Sequence, residues 1–168
     1  MRVPAAVVFT ALFLGLRIPA AAAPAGAGPA PSETAAGLEA DKLINELIPL
    51  RKELLRLQRQ LQLAVEKSDA AAIAEVQGKR GPLRENIETL NRRLSALLPT
   101  LEELRTKQEI GAWVNIFSGT PLMKDVSAMV NFKDLLKNAE RFNRDANNEL
   151  YGEQLNYKLQ LDEYQKKL

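Results

Sequence analysis

Apolar residues spaced alternately four and three positions apart are the feature that most restricts the fold of this chain. Two such seams occur, each with seven apolar positions. A heptad seam places one apolar stripe along a helix, and that stripe is buried against a partner helix. The sequence therefore predicts an all-α protein of long helices packed side by side. The first seam is Leu43, Leu47, Leu50, Leu54, Leu57, Leu61 and Ala64; the second is Leu83, Ile87, Leu90, Leu94, Leu97, Leu101 and Leu104.

The segment between the seams favours a reversal of the chain. Ser68 or Asp69 suits the start of a short Ala-rich helix, Gly78 suits its end, and Gly81-Pro82 suits a stop and restart. The alternative is a single, locally disturbed helix from about residue 41 to 108. If the chain folds back here, three pairs of residues should lie side by side on the two antiparallel helices. These pairs are 47 with 101, 54 with 94 and 61 with 87.

Residues 109–123 interrupt the heptad pattern and contain the single tryptophan of the chain. Apolar residues are dense here between two glycines and a proline, and no second segment offers a strand to pair with, so short helical turns are predicted. Thr120 and Pro121 suit the start of a last helix, and Asn143 on its seam is a candidate for fixing register. The predicted fold is an antiparallel coiled-coil helical hairpin with a small helical cap at about 109–123.

The N-terminal residues have the layout of a secretory signal. Arg2 precedes an apolar run from Val3 to Leu16, and small residues follow; the run is shorter than the about 20 residues that span a bilayer. We interpret residues 1–23 as a cleavable signal peptide, 24–34 as an Ala/Gly/Pro-rich linker and 35–168 as the coiled-coil domain. The expected location is periplasmic or extracellular, and an uncleaved N-terminal anchor is the alternative.

The chain contains no histidine and no cysteine, which excludes several kinds of chemistry. Ser-His-Asp and Cys-His nucleophile systems, zinc sites with nitrogen or sulfur ligands, and disulfides all need those side chains. We therefore expect no enzymatic activity, no metal site and no cofactor. Residues 1–32 hold two of the 23 basic residues and none of the 21 acidic ones, so the remainder is neutral. A neutral chain with interspersed charges does not indicate nucleic-acid binding.

Apolar side chains in and after residues 109–123 are the candidates for partner binding. Aromatic and methionine residues at the end of a helical rod suit a protein-binding hot spot. The alternative is that they fill the interior of the cap, and the two are compatible if the cap has one buried and one exposed face. Glu102 and Glu103 suit surface ion pairs, Glu102 with Arg105, and Lys79-Arg80 suits a solvated loop tip. The predicted partner-binding residues are Trp113, Ile116, Phe117, Leu122, Met123, Met129 and Phe132.

Two stretches of the sequence carry a resemblance to a known family. Residues 111–119 read G-A-W-V-N-I-F-S-G and follow a leucine-seamed helix, and residues 131–141 read N-F-K-D-L-L-K-N-A-E-R. In this order they resemble the coiled-coil domain of bacterial murein hydrolase activators of the EnvC, PcsB and CwlO type. That family has a glycine before an apolar "I-x-x-S-G" or "L-L-x-S" stretch, followed by a helix with an aromatic residue and a charged "x-A-x-R" segment.

The resemblance implies an exported envelope protein that takes part in septal peptidoglycan splitting. In the family the helical hairpin docks on the extracellular domain of the membrane protein FtsX, and ATP-driven movement of FtsEX relieves autoinhibition. The expected partner is an FtsX-like extracellular domain or a cell-wall amidase, contacted through the segment from Trp113 to Phe132. Family members usually carry a LytM-type domain as well, which residues 1–168 do not include.

Two other classes of protein fit the same residues. One is a periplasmic holdase chaperone or a helical adaptor of a secretion system, which needs no such membrane partner. The other is a self-associating coiled coil, because leucine-rich seams do not distinguish pairing within one chain from pairing between two. A homodimer is therefore a further expectation to test.

Overall fold

The computed structural model describes residues 34–119 and 123–167, and this part of the chain forms three α-helices without any strand. They are α1 (Ala35–Glu66), α2 (Ala70–Phe117) and α3 (Met123–Lys167). The all-α fold predicted from the seams is confirmed. None of the described helices is long and apolar enough to cross a bilayer. The predicted signal peptide, all of the predicted linker before Thr34, and Thr120, Pro121 and Leu122 lie outside the described residues.

Side-chain caps fix where the first two helices begin. The Thr34 hydroxyl accepts a hydrogen bond from the Gly37 amide at 3.0 Å and caps α1. Between the two helices, Ser68 has a φ of +52°, a left-handed conformation that reverses the chain within a few residues. The Asp69 carboxylate then accepts from the Ala72 amide at 3.0 Å and caps α2. Of the two residues predicted to begin the helix after the first seam, Ser68 or Asp69, Asp69 is the cap, and the fold-back lies at residues 67–69.

Helix α2 continues without interruption through Gly78, Gly81 and Pro82, so the predicted short helix and restart are wrong. All three residues are exposed, and nothing in the described chain lies within 4 Å of a Cβ built on either glycine. Each glycine costs about 1 kcal/mol relative to alanine. Helix stability in proteins comes mainly from a packed face, and here Val76 and Ile87 are buried on either side. Packing therefore outweighs the local break signals.

The early reversal also shifts the register between α1 and α2. Leu61 shares a buried cluster with Ile73 and Val76, whereas Ile87 lies in a different cluster. Near the other end of α1, Glu39 is bonded to Arg93. The predicted pairing of 61 with 87, and with it the pairs 47–101 and 54–94, is wrong because the turn lies at 67–69 rather than at Gly81-Pro82.

Helix α3 returns along both other helices and completes a three-helix bundle. It runs antiparallel to α2, since Arg80 meets Glu153 while the later residue Asn91 meets the earlier residue Asn143. It runs parallel to α1, since Arg51 bonds Glu149 and the α3 terminus reaches the carbonyl of Val65. The architecture is therefore a bundle of three helices in place of the two arms of a hairpin.

The core of the bundle is made by the two predicted seams together with α3. Most seam positions are buried, and the others are partly buried against them. The larger cluster joins all three helices, and the smaller one lies at the end where α1 turns into α2 and includes α3 side chains. Fully buried seam residues include Leu43, Leu47, Leu57, Leu61, Ile87, Leu94 and Leu101.

A buried ionic layer joins α2 to α3. The Arg80 guanidinium bonds the Glu153 carboxylate, donates to the Gln154 amide oxygen at 2.6 Å, and lies 3.7 Å from the centre of the Tyr157 ring. Arg84 donates to the same Gln154 oxygen at 2.5 Å. The sequence interpretation of Lys79-Arg80 as a solvated loop tip is therefore wrong for Arg80, because the residue lies within α2 on the side that faces α3.

An asparagine layer forms a second polar contact between the same helices. The Asn143 amide donates to the Asn91 backbone oxygen at 3.0 Å, and the Asn91 amide donates to the Asn147 side-chain oxygen at 2.8 Å. Asn91 is buried, and burying an amide is costly unless its hydrogen bonds are made. The predicted interhelical role of Asn143 is consistent with this geometry, because these hydrogen bonds are made only in one register.

Candidate partner-binding surface

Helices α2 and α3 extend beyond the part of the bundle that α1 covers. Glu39, near the start of α1, is bonded to Arg93, and α2 continues from there to Phe117. We call residues 102–119 and 123–132 the tip. Residues 109–117, expected as short helical turns of a separate cap, are instead the last turns of α2, and a turn at Ser118 and Gly119 follows.

The interior of the tip is formed by small or aromatic side chains between the two helices. Ala112 on α2 and Ala128 and Phe132 on α3 are buried, and Asn115 on α2 is buried as well. Gly119, with a φ of +74°, has the left-handed conformation that commonly ends helices and that glycine adopts without strain. The tip therefore has a packed inner side and a defined turn at its end.

Large apolar side chains occupy the outer side of α2 in the tip. Their positions, 110, 113, 114 and 117, have the i, i+3, i+4, i+7 spacing of one helical face. We call these four residues the tip face. On the neighbouring helix, Val126 and Val130 are exposed at i, i+4 spacing. The exposed fractions of the tip face are 59% for Ile110, 51% for Trp113, 57% for Val114 and 83% for Phe117.

The two aromatic rings of the tip face lie against each other. The ring centres of Trp113 and Phe117 are 6.1 Å apart, and the ring planes differ by 28°. Offset stacking at this distance is favourable for aromatic pairs. Because each ring restricts the other before any partner arrives, less side-chain entropy is lost on binding. The pair is therefore aromatic and conformationally restricted, as expected of side chains that anchor a partner.

The structure divides the predicted partner-binding residues between surface and interior. Trp113 and Phe117 are exposed, Met129 is half-buried, and Phe132 is buried with 1% of its surface exposed. Leu122 and the side chains of Ile116 and Met123 lie outside the described structure. Phe132 thus packs the tip, while Trp113 and Phe117 are available to a partner.

The sequence interpretation missed Ile110, Val114, Val126 and Val130. Treating residues 109–123 as short turns removed the helical spacing that links the first two to Trp113. Counting three residues back, one forward and four forward from Trp113 along a continuous helix gives the whole tip face. The periodicity of α2 was therefore the available signal.

Ion pairs lie along α2 at the base of the tip. Arg105 bonds Glu102 at 2.7 Å and Glu109 at 2.8 Å, and Lys107 pairs with Glu103 at 2.7 Å. Hydrogen bonding to Arg105 lowers the pKa of Glu102, and hydrogen bonding to Lys107 lowers that of Glu103. Both carboxylates are therefore ionised at neutral pH, each with its own cation. This confirms the surface ion pair predicted for Glu102. Neither carboxyl has the raised pKa that a proton donor at neutral pH needs.

Comparison with known protein families, with curated proteins and with solved structures gives no match for this chain. The resemblance to murein hydrolase activators therefore stays a prediction made from the sequence. Within residues 34–119 and 123–167, no group of three or more acidic side chains lies together as a metal site would require.

Proposed function

We propose that this chain is an exported helical interaction protein that binds a partner protein through the tip face. The observation that carries the proposal is the exposure of Ile110, Trp113, Val114 and Phe117 along one side of α2. Helices that dock into grooves of other proteins use apolar anchors at this i, i+3, i+4, i+7 spacing. Tryptophan is also among the residues that contribute most to binding energy at interfaces.

The proposed partner is an FtsX-like extracellular domain, with a cell-wall amidase as the other candidate, and the proposed process is the regulation of peptidoglycan hydrolysis at cell division. Two observations support this finer assignment. The segment that resembles the activator family, residues 111–119, contains Trp113, Val114 and Phe117 of the tip face. The signal-like residues 1–23 would deliver the protein to the compartment where such partners lie.

Affinity measurements on the purified FtsX extracellular domain test the proposal. Trp113→Ala and Phe117→Ala should each weaken binding roughly thirtyfold, because truncating a hot-spot aromatic costs about 2 kcal/mol or more. Leu38→Ala is the matched control, since Leu38 is an equally exposed large apolar residue, and it lies in the first turn of α1, outside the tip. It should leave the affinity unchanged.

The outcomes test the binding surface and the identity of the partner separately. Undiminished binding by both aromatic variants removes the tip face from the proposal. Absence of binding by the unmodified protein, to the FtsX domain and to amidases alike, removes the role in peptidoglycan hydrolysis. In that case suppression of the aggregation of unfolded outer-membrane proteins, lost in Trp113→Ala, would identify a holdase that uses the same face.

A further inference from the structure

A second apolar stripe lies on the outer side of α3, far along the chain from the tip. Tyr151, Leu155 and Leu159 follow at i, i+4, i+8 and are all more than half exposed. The buried residues of the same segment, Leu150 and Glu153, face the other helices of the bundle. No described part of the chain covers the stripe, although three large apolar residues on one helical face are typical of a packing surface.

Gly152 lies within this face and has no explanation inside a single chain. It is four residues after Asn148 and three before Leu155, so it lies on the same side of α3. A Cβ added at this position would meet nothing within 4 Å. Glycine in a helix interior lowers helix stability, and no neighbour in the described chain requires the space. A glycine on a helix surface does permit another helix to approach closely.

A charged residue lies at each end of this face, and the two charges have opposite signs. Arg144 precedes the stripe and Asp162 follows it, and both lie along the same side of α3 at i, i+7, i+11, i+18 spacing with Tyr151 and Leu155. Asp162 has no ion pair within the described chain, and Arg144 reaches only Asp145, at 3.9 Å. These two charges are therefore available to a partner.

We infer that this face binds a second copy of the chain, with the two α3 helices antiparallel. In that arrangement Arg144 of each copy lies level with Asp162 of the other, and Tyr151 lies level with Leu155. The twofold axis then falls halfway between positions 144 and 162, one residue from Gly152, where the helices come closest. A parallel pair would instead place Arg144 beside Arg144 and Asp162 beside Asp162, which is unfavourable.

The face extends over about five turns of α3. A helix rises about 1.5 Å per residue, so the distance from Arg144 to Asp162 is about 27 Å. The contact is isologous, because the same patch is used on both copies and closes after two chains. It uses none of the tip face, so two tips would remain free in the dimer, and the inference does not depend on the proposed function.

Sedimentation equilibrium of the full chain over a range of concentrations tests the inference. A reversible dimer is expected, and Leu155→Glu should raise its dissociation constant roughly tenfold to a hundredfold. Leu38→Glu is the matched control, because Leu38 is 56% exposed, Leu155 is 51% exposed, and Leu38 lies at the start of α1. This variant should dimerise like the unmodified chain, and so should Trp113→Ala.

A charge exchange tests the antiparallel geometry. Arg144→Glu and Asp162→Arg should each weaken the dimer, and the double variant should restore it, because the pair is then present in reverse. Failure of the double variant to recover overturns the antiparallel pairing. A monomer at every concentration, or a dimer insensitive to Leu155→Glu, overturns the inference. Binding of the monomer to vesicles of anionic phospholipid that Leu155→Glu abolishes would overturn it in favour of a membrane surface.

Discussion

Truncating Phe132 and Phe117 to alanine, one at a time, tests the division of the tip into an interior and a binding face. Both phenylalanines belong to the residues predicted to bind a partner, and they differ in burial. Phe132 is 1% exposed between α2 and α3, whereas Phe117 is 83% exposed near the end of α2. The two substitutions remove the same atoms, so any difference between them comes from the surroundings.

The expected magnitudes follow from the buried area. A phenylalanine side chain buries on the order of 200 Å², and apolar burial contributes about 25 cal/mol per Å², which gives an upper value of about 5 kcal/mol for full burial. Unfolded chains already bury part of this area, so we expect Phe132→Ala to lower the free energy of unfolding by about 3 to 4 kcal/mol. Phe117 buries only a small part of its surface, so Phe117→Ala should lower the free energy of unfolding by less than about 1 kcal/mol.

Urea unfolding followed by far-ultraviolet circular dichroism measures both values. With a slope of about 2 kcal/mol per molar urea, the midpoint should fall by about 1.5 to 2 M for Phe132→Ala and by less than about 0.5 M for Phe117→Ala. An unchanged midpoint for Phe132→Ala, or equal losses for the two variants, would refute the assignment of interior and face. Phe117→Ala should keep its fold and at the same time weaken partner binding roughly thirtyfold.

Three further changes have expected outcomes. Ser68→Gly should raise the free energy of unfolding by about 0.5 to 1 kcal/mol, because Ser68 has a φ of +52° that glycine adopts without strain; a lower midpoint in urea would contradict this. Glu153→Gln should lower it by about 3 to 5 kcal/mol, because Glu153 is 6% exposed and two arginines bond its carboxylate; a loss in thermal unfolding no larger than that of Glu163→Gln, an exposed glutamate of the same helix, would contradict this. Finally, a hydrogen bond from Lys79 lowers the pKa of Glu75 below its ordinary 4.5. The stabilisation from this pair is therefore present above pH 4.5 and is lost as the pH falls through the lowered pKa. The Glu75 carboxyl should titrate below 4.5 by NMR, and at its ordinary value after Lys79→Ala.

The apolar seams predicted the fold class and most of the core because burial follows periodicity directly. Leu43, Leu47 and Leu61 are fully buried, as are Ile87 and Leu94 of the second seam. A side chain on the seam side of a long helix can be buried only against another helix. Neither seam contains information on how many helices share the contact, so α3 was expected as part of a hairpin rather than as an equal third member.

Break signals misplaced the turn because glycine and proline act only locally. Gly78, Gly81 and Pro82 suggested a stop, yet the apolar spacing already continues through them. Ile73 and Val76 extend the second seam backward at the same three and four spacing, with Arg80 at the position that falls between Val76 and Leu83. A continuous seam indicates a continuous helix, and beginning this seam at Leu83 concealed it.

The aromatic and apolar composition of residues 109–132 indicated the candidate site, but the sequence interpretation identified only some of its residues. Trp113 and Phe117 stand out as aromatic residues wherever they are placed, so both were predicted. Ile110 and Val114 have no such signal outside a helical frame. Phe132 was predicted to bind a partner because nothing in the sequence distinguishes an aromatic residue that is buried between helices from one that faces a partner. That distinction depends on tertiary packing alone.

The buried ionic layer explains why a bundle with leucine-rich seams keeps one register. Leucine seams tolerate a shift of one heptad, since each leucine then meets another leucine. Arg80 occupies a seam position of α2, and Glu153 falls in the gap between Leu150 and Tyr157 on the seam of α3. A shift would separate them and leave each charge buried without its partner, at a cost of about 3 to 5 kcal/mol. Because α2 is unbroken from this layer to Phe117, the same pairing that sets the register also fixes where the tip face lies relative to α3.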